Sequence, residues 1–188
     1  MAELSFPSPP LQTDSIALRP WRESDAPAIV RACSDPSVVR FLVSLPSPYT
    51  ASDARSWLAT LEPDRQAGTL LGMAIADRET DEPLGSLGAR VSSRTRSASI
   101  GYWLAPAAQG HGYMTVAVRL LCEWLFAELD VGRIELTTAP ENYASHRVAQ
   151  RCGFQKEGLL RAYLLHQHTG QRRDSLMWSL LPGELTYE

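Results

Sequence analysis

The spacing of apolar positions changes twice between residues 98 and 138. Ile100, Tyr102 and Leu104 alternate with Gly101 and Trp103, the period-two pattern of a strand. Ala105-Pro106 ends it, and Gln109-Gly110-His111-Gly112 is a turn with two glycines. From Tyr113, residues Val116, Ala117, Leu120, Leu121, Trp124 and Leu125 recur at helical spacing, which predicts a helix over 113–129. Gly132 is available to cap that helix in the left-handed conformation, and residues 134–138 read as a second strand. Strand, crossover helix and strand predict a parallel pair.

The rest of the chain frames that unit. Residues 1–14 are rich in Pro and Ser and predict an irregular lead-in; 16–20 is a short strand. Ser24 or Asp25 is placed to cap a helix through about residue 33, with Pro27 in its first turn. Residues 37–41 suit another helical turn, and the prolines of 45–49 mark a loop. Thr50 caps a helix through residue 61 that puts Trp57, Leu58 and Leu61 on one face. Strands over 69–76, 84–91 and 98–104, joined by polar turns, predict an antiparallel meander, with Gly85 and Gly88 marking a bulge or close approach. After the second parallel strand, a helix opens near Asn142 and runs to Cys152. Val148, Ala149 and Cys152 face inward, and Gly153 caps its end. A long hairpin over 154–165 and 174–181 follows. The expectation is one α/β (α+β) domain over 15–182 with a tail at 183–188. Its mixed, mostly antiparallel sheet has about seven strands, a central parallel pair and about four helices.

Composition narrows the class. The chain has 188 residues, 44% hydrophobic and 21% charged, with net charge −3, ordinary values for a soluble domain. No apolar run is long enough to span a bilayer, and the N-terminus lacks the pattern of a signal peptide. There is no basic tract, which argues against nucleic acid as the main partner. Cys33, Cys122 and Cys152 are odd in number and widely spaced, giving neither a disulfide framework nor a metal pattern and pointing to a reducing, cytoplasmic setting.

The glycine turn carries the chemistry. Backbone N–H groups at a helix start have no intrahelical acceptor, and the helix dipole adds partial positive charge, so such a turn suits a phosphate or pyrophosphate. A Rossmann fingerprint would need a third glycine where Thr115 stands, and a P-loop would need a lysine that is absent. The stretch resembles motif A of the GCN5-related N-acetyltransferase (GNAT) superfamily, Gln/Arg-x-x-Gly-x-Gly/Ala, with Gln109, Gly112 and Met114 at the defined positions. Met114 departs from the small residue usual there, whereas Gln-Gly-His-Gly-Tyr-Met-Thr is similar to the form found in the Rim-type branch, which includes the acetyltransferases of ribosomal-protein N-termini. Asn142-x-x-Ser145 followed by Gly153-Phe154 resembles motif B, and Leu18-Arg19-Pro20 resembles the start of Rim-type domains. The likeness covers about residues 15–181.

The resemblance implies acetyl-CoA as acyl donor, no metal, and an amine acceptor. The pyrophosphate would take the N–H groups of Gln109, Gly110, His111, Gly112, Tyr113, Met114 and Thr115. The parallel strands would splay, and the pantetheine arm would pair with backbone at Trp103, Leu104 and Ala105 and with Asn142. Ser145 would protonate the departing CoA thiolate, and a backbone N–H near Leu104 would face the carbonyl oxygen. The first helices would wall the acceptor site, making Phe41, Tyr49, Trp57 and Tyr102 candidate contacts. Many relatives carry a glutamate base where this chain has Ser99; Glu135, His166 and His168 are the substitutes in view. A covalent acetyl-cysteine route is disfavoured. The readings are an N-acetyltransferase acting on a protein N-terminal α-amine or small amine, a xenobiotic or antibiotic amine acetyltransferase, and a catalytically degenerate acyl-CoA-binding protein. A homodimer is common in this branch, and neither nucleic acid nor membrane is expected as a partner.

Overall fold

The computed structural model describes residues 3–166 and 170–187. Seven strands form one sheet in the order β1-β2-β3-β4-β5-β7-β6, and only β4 and β5 run parallel. They are β1 (Ile16–Pro20), β2 (Leu70–Asp77), β3 (Pro83–Ser92), β4 (Ser97–Leu104), β5 (Arg133–Thr138), β6 (Gln155–Leu165) and β7 (Arg172–Leu180). Five α-helices accompany them: α1 (Ala26–Cys33), the single turn α2 (Pro36–Val39), α3 (Ala51–Gln66), α4 (Tyr113–Glu128) and α5 (Tyr143–Arg151).

The period-two pattern of the meander sorts side chains onto two faces. Leu71, Met73, Ile75, Leu87, Ala89, Ala98 and Ile100 are buried with the apolar stripe of α4 (Ala117, Val118, Leu121, Leu125) and with Ala149 and Cys152 of α5. On the opposite side α1 and α3 make a smaller cluster from Ala26, Ile29, Cys33, Tyr49 and Ala54, against which Trp21, Trp57 and Trp103 pack. Trp21 meets Trp57 edge-on at 5.5 Å and lies 6.1 Å from Trp103, a geometry that adds to the area these rings bury.

Arg19, at the end of β1, holds the entry to the helices. Its guanidinium donates to both Asp25 carboxylate oxygens at 2.8 and 3.1 Å and to Asp81 at 2.8 Å. Arg19 and Asp25 are buried, whereas the Asp81 side chain is half exposed. Of the two expected caps, Ser24 or Asp25, Asp25 does hold the N-cap position of α1 but makes no side-chain cap bond there; its carboxylate reaches back from the third position of a short 3-10 turn, Glu23–Asp25, to accept from the Arg22 N–H at 2.9 Å. A carboxylate already paired with a buried guanidinium gains more there than at the start of α1.

Three boundaries differ from expectation for physical reasons. Thr50 does cap α3, reciprocally with Asp53, yet the helix passes Pro63 and ends at Gln66. Arg65 holds that extra turn through Glu62 and Glu3, and the Leu4 N–H donates to Arg65 O. At the end of α4 the left-handed residue is Asp130, with φ 50°, not Gly132, because the Gly132 N–H donates to Arg96 O at 2.7 Å in the β4 approach. Gly153 does adopt positive φ, 89°, and a side chain there would meet Glu184 O. Strand β7 begins at Arg172, two residues before the expected start. His168 and the rest of 167–169 lie outside the described residues.

Candidate active site

The parallel pair comes apart where the sequence places the chemistry. Strands β4 and β5 pair from Ser97↔Arg133 to Ile100↔Leu136 and no further. Beyond that point β4 stays bonded to β3 as far as Leu104, and β5 stays bonded to β7 as far as Thr138. The two strands therefore diverge with backbone groups facing a gap, and such groups call for a partner. Ala105 donates to Leu84 O at 2.8 Å on the β3 side. Since successive peptide groups of a strand point to opposite edges, Leu104 is the residue that turns its N–H and C=O into the gap. Gln109 Nε2 donates to Leu104 O at 3.1 Å, tying the motif A glutamine to the strand end.

A cleft of about 400 Å³ opens from the gap, lined by Trp103, Leu104, Gln109, Gly110, Gly112, Met114, Thr115, Asn142 and Ser145 among others. The chain reaches it through a 3-10 turn, Pro106–Ala108, which takes up the Gln109 N–H on Pro106 O at 3.2 Å. Gly110 and Gly112 then adopt φ of 85° and 82°, conformations that favour glycine, and both leave open space where a Cβ would stand. The first intrahelical bond of α4 runs from Val116 N–H to Gly112 O. The N–H groups of Tyr113, Met114 and Thr115 are therefore the unpaired donors of the helix start, and among the described residues those of Gly110, His111 and Gly112 have no backbone acceptor. Together with the dipole of this 16-residue helix they form a donor cradle for an anion.

The opposite wall is the start of α5. Asn142 caps it, its Oδ1 accepting from the Ser145 N–H at 3.2 Å while its own N–H donates to Ala139 O at 3.0 Å. His146 Nε2 bonds Ala139 O as well, at 3.0 Å. This pinning turns the Ser145 side chain toward the gap, where the Tyr102 hydroxyl is its polar neighbour. The Tyr102 oxygen is buried and makes no hydrogen bond of ordinary geometry. Burial raises its pKa, so it stays a neutral phenol; the adjacent Ser145 hydroxyl opposes that rise only in part.

A second cleft, of about 340 Å³, lies on the other face of β4, between the sheet and α1 and α3. It shares Leu42, Tyr102 and Trp103 with the first, so β4 is the partition between them. Tyr49 and Trp57 line it, and both also pack in the α1–α3 cluster. Its floor is Gly101 of β4 with Gly88 of β3; above Gly101 a Cβ would meet nothing within 4 Å. Cys33 and Tyr49 are its buried titratable groups, and desolvation pushes their pKa up to about 11 and about 12. Among the described residues lining it there is no Asp, Glu or His.

Several expected residues are placed elsewhere. Phe41 lines the first cleft rather than the second, under the guanidinium of Arg40 at 4.4 Å. Tyr102 lines both, but its hydroxyl is turned to Ser145. Ala105, His111 and Tyr113 are not among the residues lining either cleft, although the N–H groups of His111 and Tyr113 belong to the cradle; the His111 side chain is exposed and stacks on Tyr113 at 5.5 Å. Glu135 stands opposite Ser99 in the parallel pairing but is held by Arg133 at 2.8 Å. Two side chains were not singled out by sequence reasoning, Arg147 and Arg151 of α5, which line the first cleft. Their i,i+4 spacing on the motif B helix was the available signal. All three cysteines are buried, and burial raises the thiol pKa of each, which disfavours a thiolate nucleophile. Among the described residues no cluster of His, Cys, Asp and Glu could hold a metal, and no helix is long and apolar enough to cross a membrane.

The fold and much of the sequence are shared with known proteins. An N-acetyltransferase of unassigned substrate from Bacillus licheniformis, p20, is 33% identical over 176 residues, covering 93% of this chain and 97% of its own. RimJ of Mycobacterium smegmatis, solved in complex with CoA-disulfide, superposes with TM-score 0.81 at 29% identity, covering 92% of this chain and 85% of its own. The ribosomal L7/L12 α-N-protein acetyltransferase RimL shares the fold, with TM-score 0.78 at 22% identity over 92% of this chain and 97% of its own. The family model of the acetyltransferase (GNAT) domain matches residues 15–155, and the chain belongs to that family of N-acetyltransferases.

Proposed function

We propose that this chain binds acetyl-CoA in the first cleft and transfers its acetyl group directly to a primary amine held in the second. The observation that carries the proposal is the β4–β5 divergence, which leaves one strand end between an N–H cradle and an empty-floored cleft. The residues present fit the donor. The N–H groups from Gly110 to Thr115, with Arg147 and Arg151 nearby, suit phosphates. The Leu104 C=O offers an acceptor, and Asn142 a donor and an acceptor, to the amides of the pantetheine arm. The CoA-disulfide complex of the M. smegmatis RimJ supports the same ligand class.

Acetyl-CoA supplies an activated thioester; the protein supplies position and protons. The amine nitrogen forms the C–N bond as the C–S bond breaks, the electron pair leaves on sulfur, and the nitrogen gives up its surplus proton to water. Ser145 Oγ gives its proton to that sulfur and is resupplied by the Tyr102 hydroxyl, whose own proton is replaced from water. The Leu104 N–H faces the carbonyl oxygen as it gains charge. No cysteine is needed. The test is thiol release from acetyl-CoA over a panel of peptides, amino acids, polyamines and aminoglycosides, together with mass spectrometry of the protein. We expect turnover with one acceptor class and no acetylated cysteine. An acetyl-cysteine formed at the turnover rate would overturn direct transfer.

Two predictions follow from the site. Tyr102→Phe should lower kcat severalfold and leave the acetyl-CoA Kd unchanged, since the ring still fills its place; an unchanged kcat would remove Tyr102 from the proton path. The second concerns pH. Cys33 and Tyr49 stay protonated at neutral pH, and no carboxylate or imidazole among the described residues lines the acceptor cleft. The amine must therefore lose its proton to water. The rate should rise about tenfold per pH unit and level off near pH 8 for a peptide α-amine, but only above pH 10 for a lysine-type amine. A plateau below pH 7 with a peptide acceptor would show that a protein base has been missed.

A further inference from the structure

The acceptor cleft has an uneven chemistry. Gly72, Gly88 and Gly101 pair with one another across β2, β3 and β4, so three adjacent strands present a strip without side chains. The strip is open above Gly101 and closed above Gly72, where the Leu61 side chain occupies the space of a Cβ. On the side toward the reacting end the bordering row includes Ser86 and Trp103; on the far side it is Leu70, Arg90 and Ser99. Arg90 is the one charged residue among the described residues lining the cleft. It is exposed, and its side chain makes no hydrogen bond or ion pair with another described residue. The walls above are apolar and aromatic.

Distances along the strand set the length of what fits. From Ser99, beside Arg90, to Leu104, at the reacting end, β4 rises about 17 Å. An extended arginine side chain laid along the strand would cover roughly 6 Å of that, leaving about 11 Å, or about three residues of extended peptide. The α-carboxylate of a free amino acid is far too close to its own amine to span that gap. A polyamine or aminoglycoside would meet a cation where it needs anions.

Resting on the acetyltransferase reading above, we infer that the acceptor is the N-terminus of an extended peptide carrying Asp or Glu at about its second to fourth residue. Its backbone crosses the glycine strip, its α-amine reaches the Leu104 end, and its carboxylate pairs with Arg90. Such a partner also meets the other demand of the cleft, because a peptide α-amine near pKa 8 is about a tenth neutral at pH 7, whereas a lysine amine is neutral to less than one part in a thousand.

The experiment compares thiol release by the full-length protein with acetyl-CoA and hexapeptides that differ only at the third residue, Glu, Gln or Lys, with free glutamate as the small-molecule arm. We expect kcat/KM for the Glu peptide to exceed that for the Gln peptide about tenfold and that for the Lys peptide by more, and free glutamate to be a poor acceptor. In Arg90→Gln the Glu-to-Gln ratio should fall to about one, and in Arg90→Glu the order should invert. Equal use of the three peptides, preference for free glutamate, or a ratio untouched in Arg90→Gln would overturn the inference while leaving the transferase reading intact. Gly101→Leu supplies an independent check of location: it should raise the peptide KM at least tenfold with an unchanged acetyl-CoA Kd, and an unchanged KM would show that the acceptor does not cross the strip. Acetyl-CoA binding without turnover on any peptide or amine would instead overturn the transferase reading, and the inference with it.

Discussion

Ser145→Ala is expected to lower kcat by about a hundredfold to a thousandfold, the range for loss of a positioned proton donor, while the acetyl-CoA Kd stays within about twofold. The separation follows from the local geometry. Asn142 accepts from the Ser145 backbone N–H, and that bond survives the substitution, so α5 keeps its start and the cleft keeps its wall. What is removed is the hydroxyl that faces the gap beside the buried Tyr102 oxygen. Without it the thiolate leaves unprotonated, because the Tyr102 phenol behind Ser145 has no hydroxyl through which to pass its proton. The double variant with Tyr102→Phe should add little beyond Ser145→Ala alone, because the two hydroxyls act in series. Single-turnover and steady-state rates, with calorimetric Kd values, measure this. An unchanged kcat would assign Ser145 to capping geometry alone.

The largest effect on stability is expected at Arg19. Arg19→Ala should cost about 3–5 kcal/mol, the usual consequence of stranding one partner of a buried ion pair, and lower Tm by roughly 10 °C. Asp25 is 6% exposed and would keep only the Arg22 N–H, leaving a carboxylate charge in an apolar junction between β1 and α1. Asp81 matters less, since its side chain is 51% exposed and can turn to water. Arg19→Lys should recover part of the loss but not all, because an ammonium cannot reproduce the two-pronged contact with Asp25. Urea or thermal unfolding gives the comparison, and a loss under 1 kcal/mol would contradict the buried-pair account.

How much could be read in advance depends on the range of the interaction. The meander, the parallel crossover and the glycine turn are encoded by local periodicity and turn chemistry, and α4 starts at Tyr113 as its pattern requires. The Thr50 cap is legible because its partner Asp53 is three residues away. The misplaced boundaries are those decided by distant partners. Arg65 carries α3 past Pro63 by bonding the N-terminal segment, and Arg96 takes up the Gly132 N–H, leaving Asp130 to turn the chain. The glycine turn of the first cleft was legible as a motif, but not the removal of the Gln109 N–H from the cradle by the Pro106 turn, which is a matter of backbone direction. Of the second cleft, Tyr49, Trp57 and Tyr102 were named in advance as lining residues, but its floor was not legible. The alignment of Gly72, Gly88 and Gly101 exists only once three strands are in register, and Phe41 went to the donor side because α2 ends before it and the chain turns there.

The most direct measurement is a calorimetric titration of the protein with acetyl-CoA, beside the Gly112→Val variant. In that variant a β-branched residue must adopt a φ of 82° at the start of α4, a conformation such residues resist, and its backbone N–H is drawn out of the cradle. The account predicts saturable one-to-one binding by the native chain, weakened at least tenfold in the variant at temperatures where both are folded. Absence of binding by the native chain, or equal affinity in the two, would mean that residues 109–115 form only a turn, and the proposed donor site would be wrong.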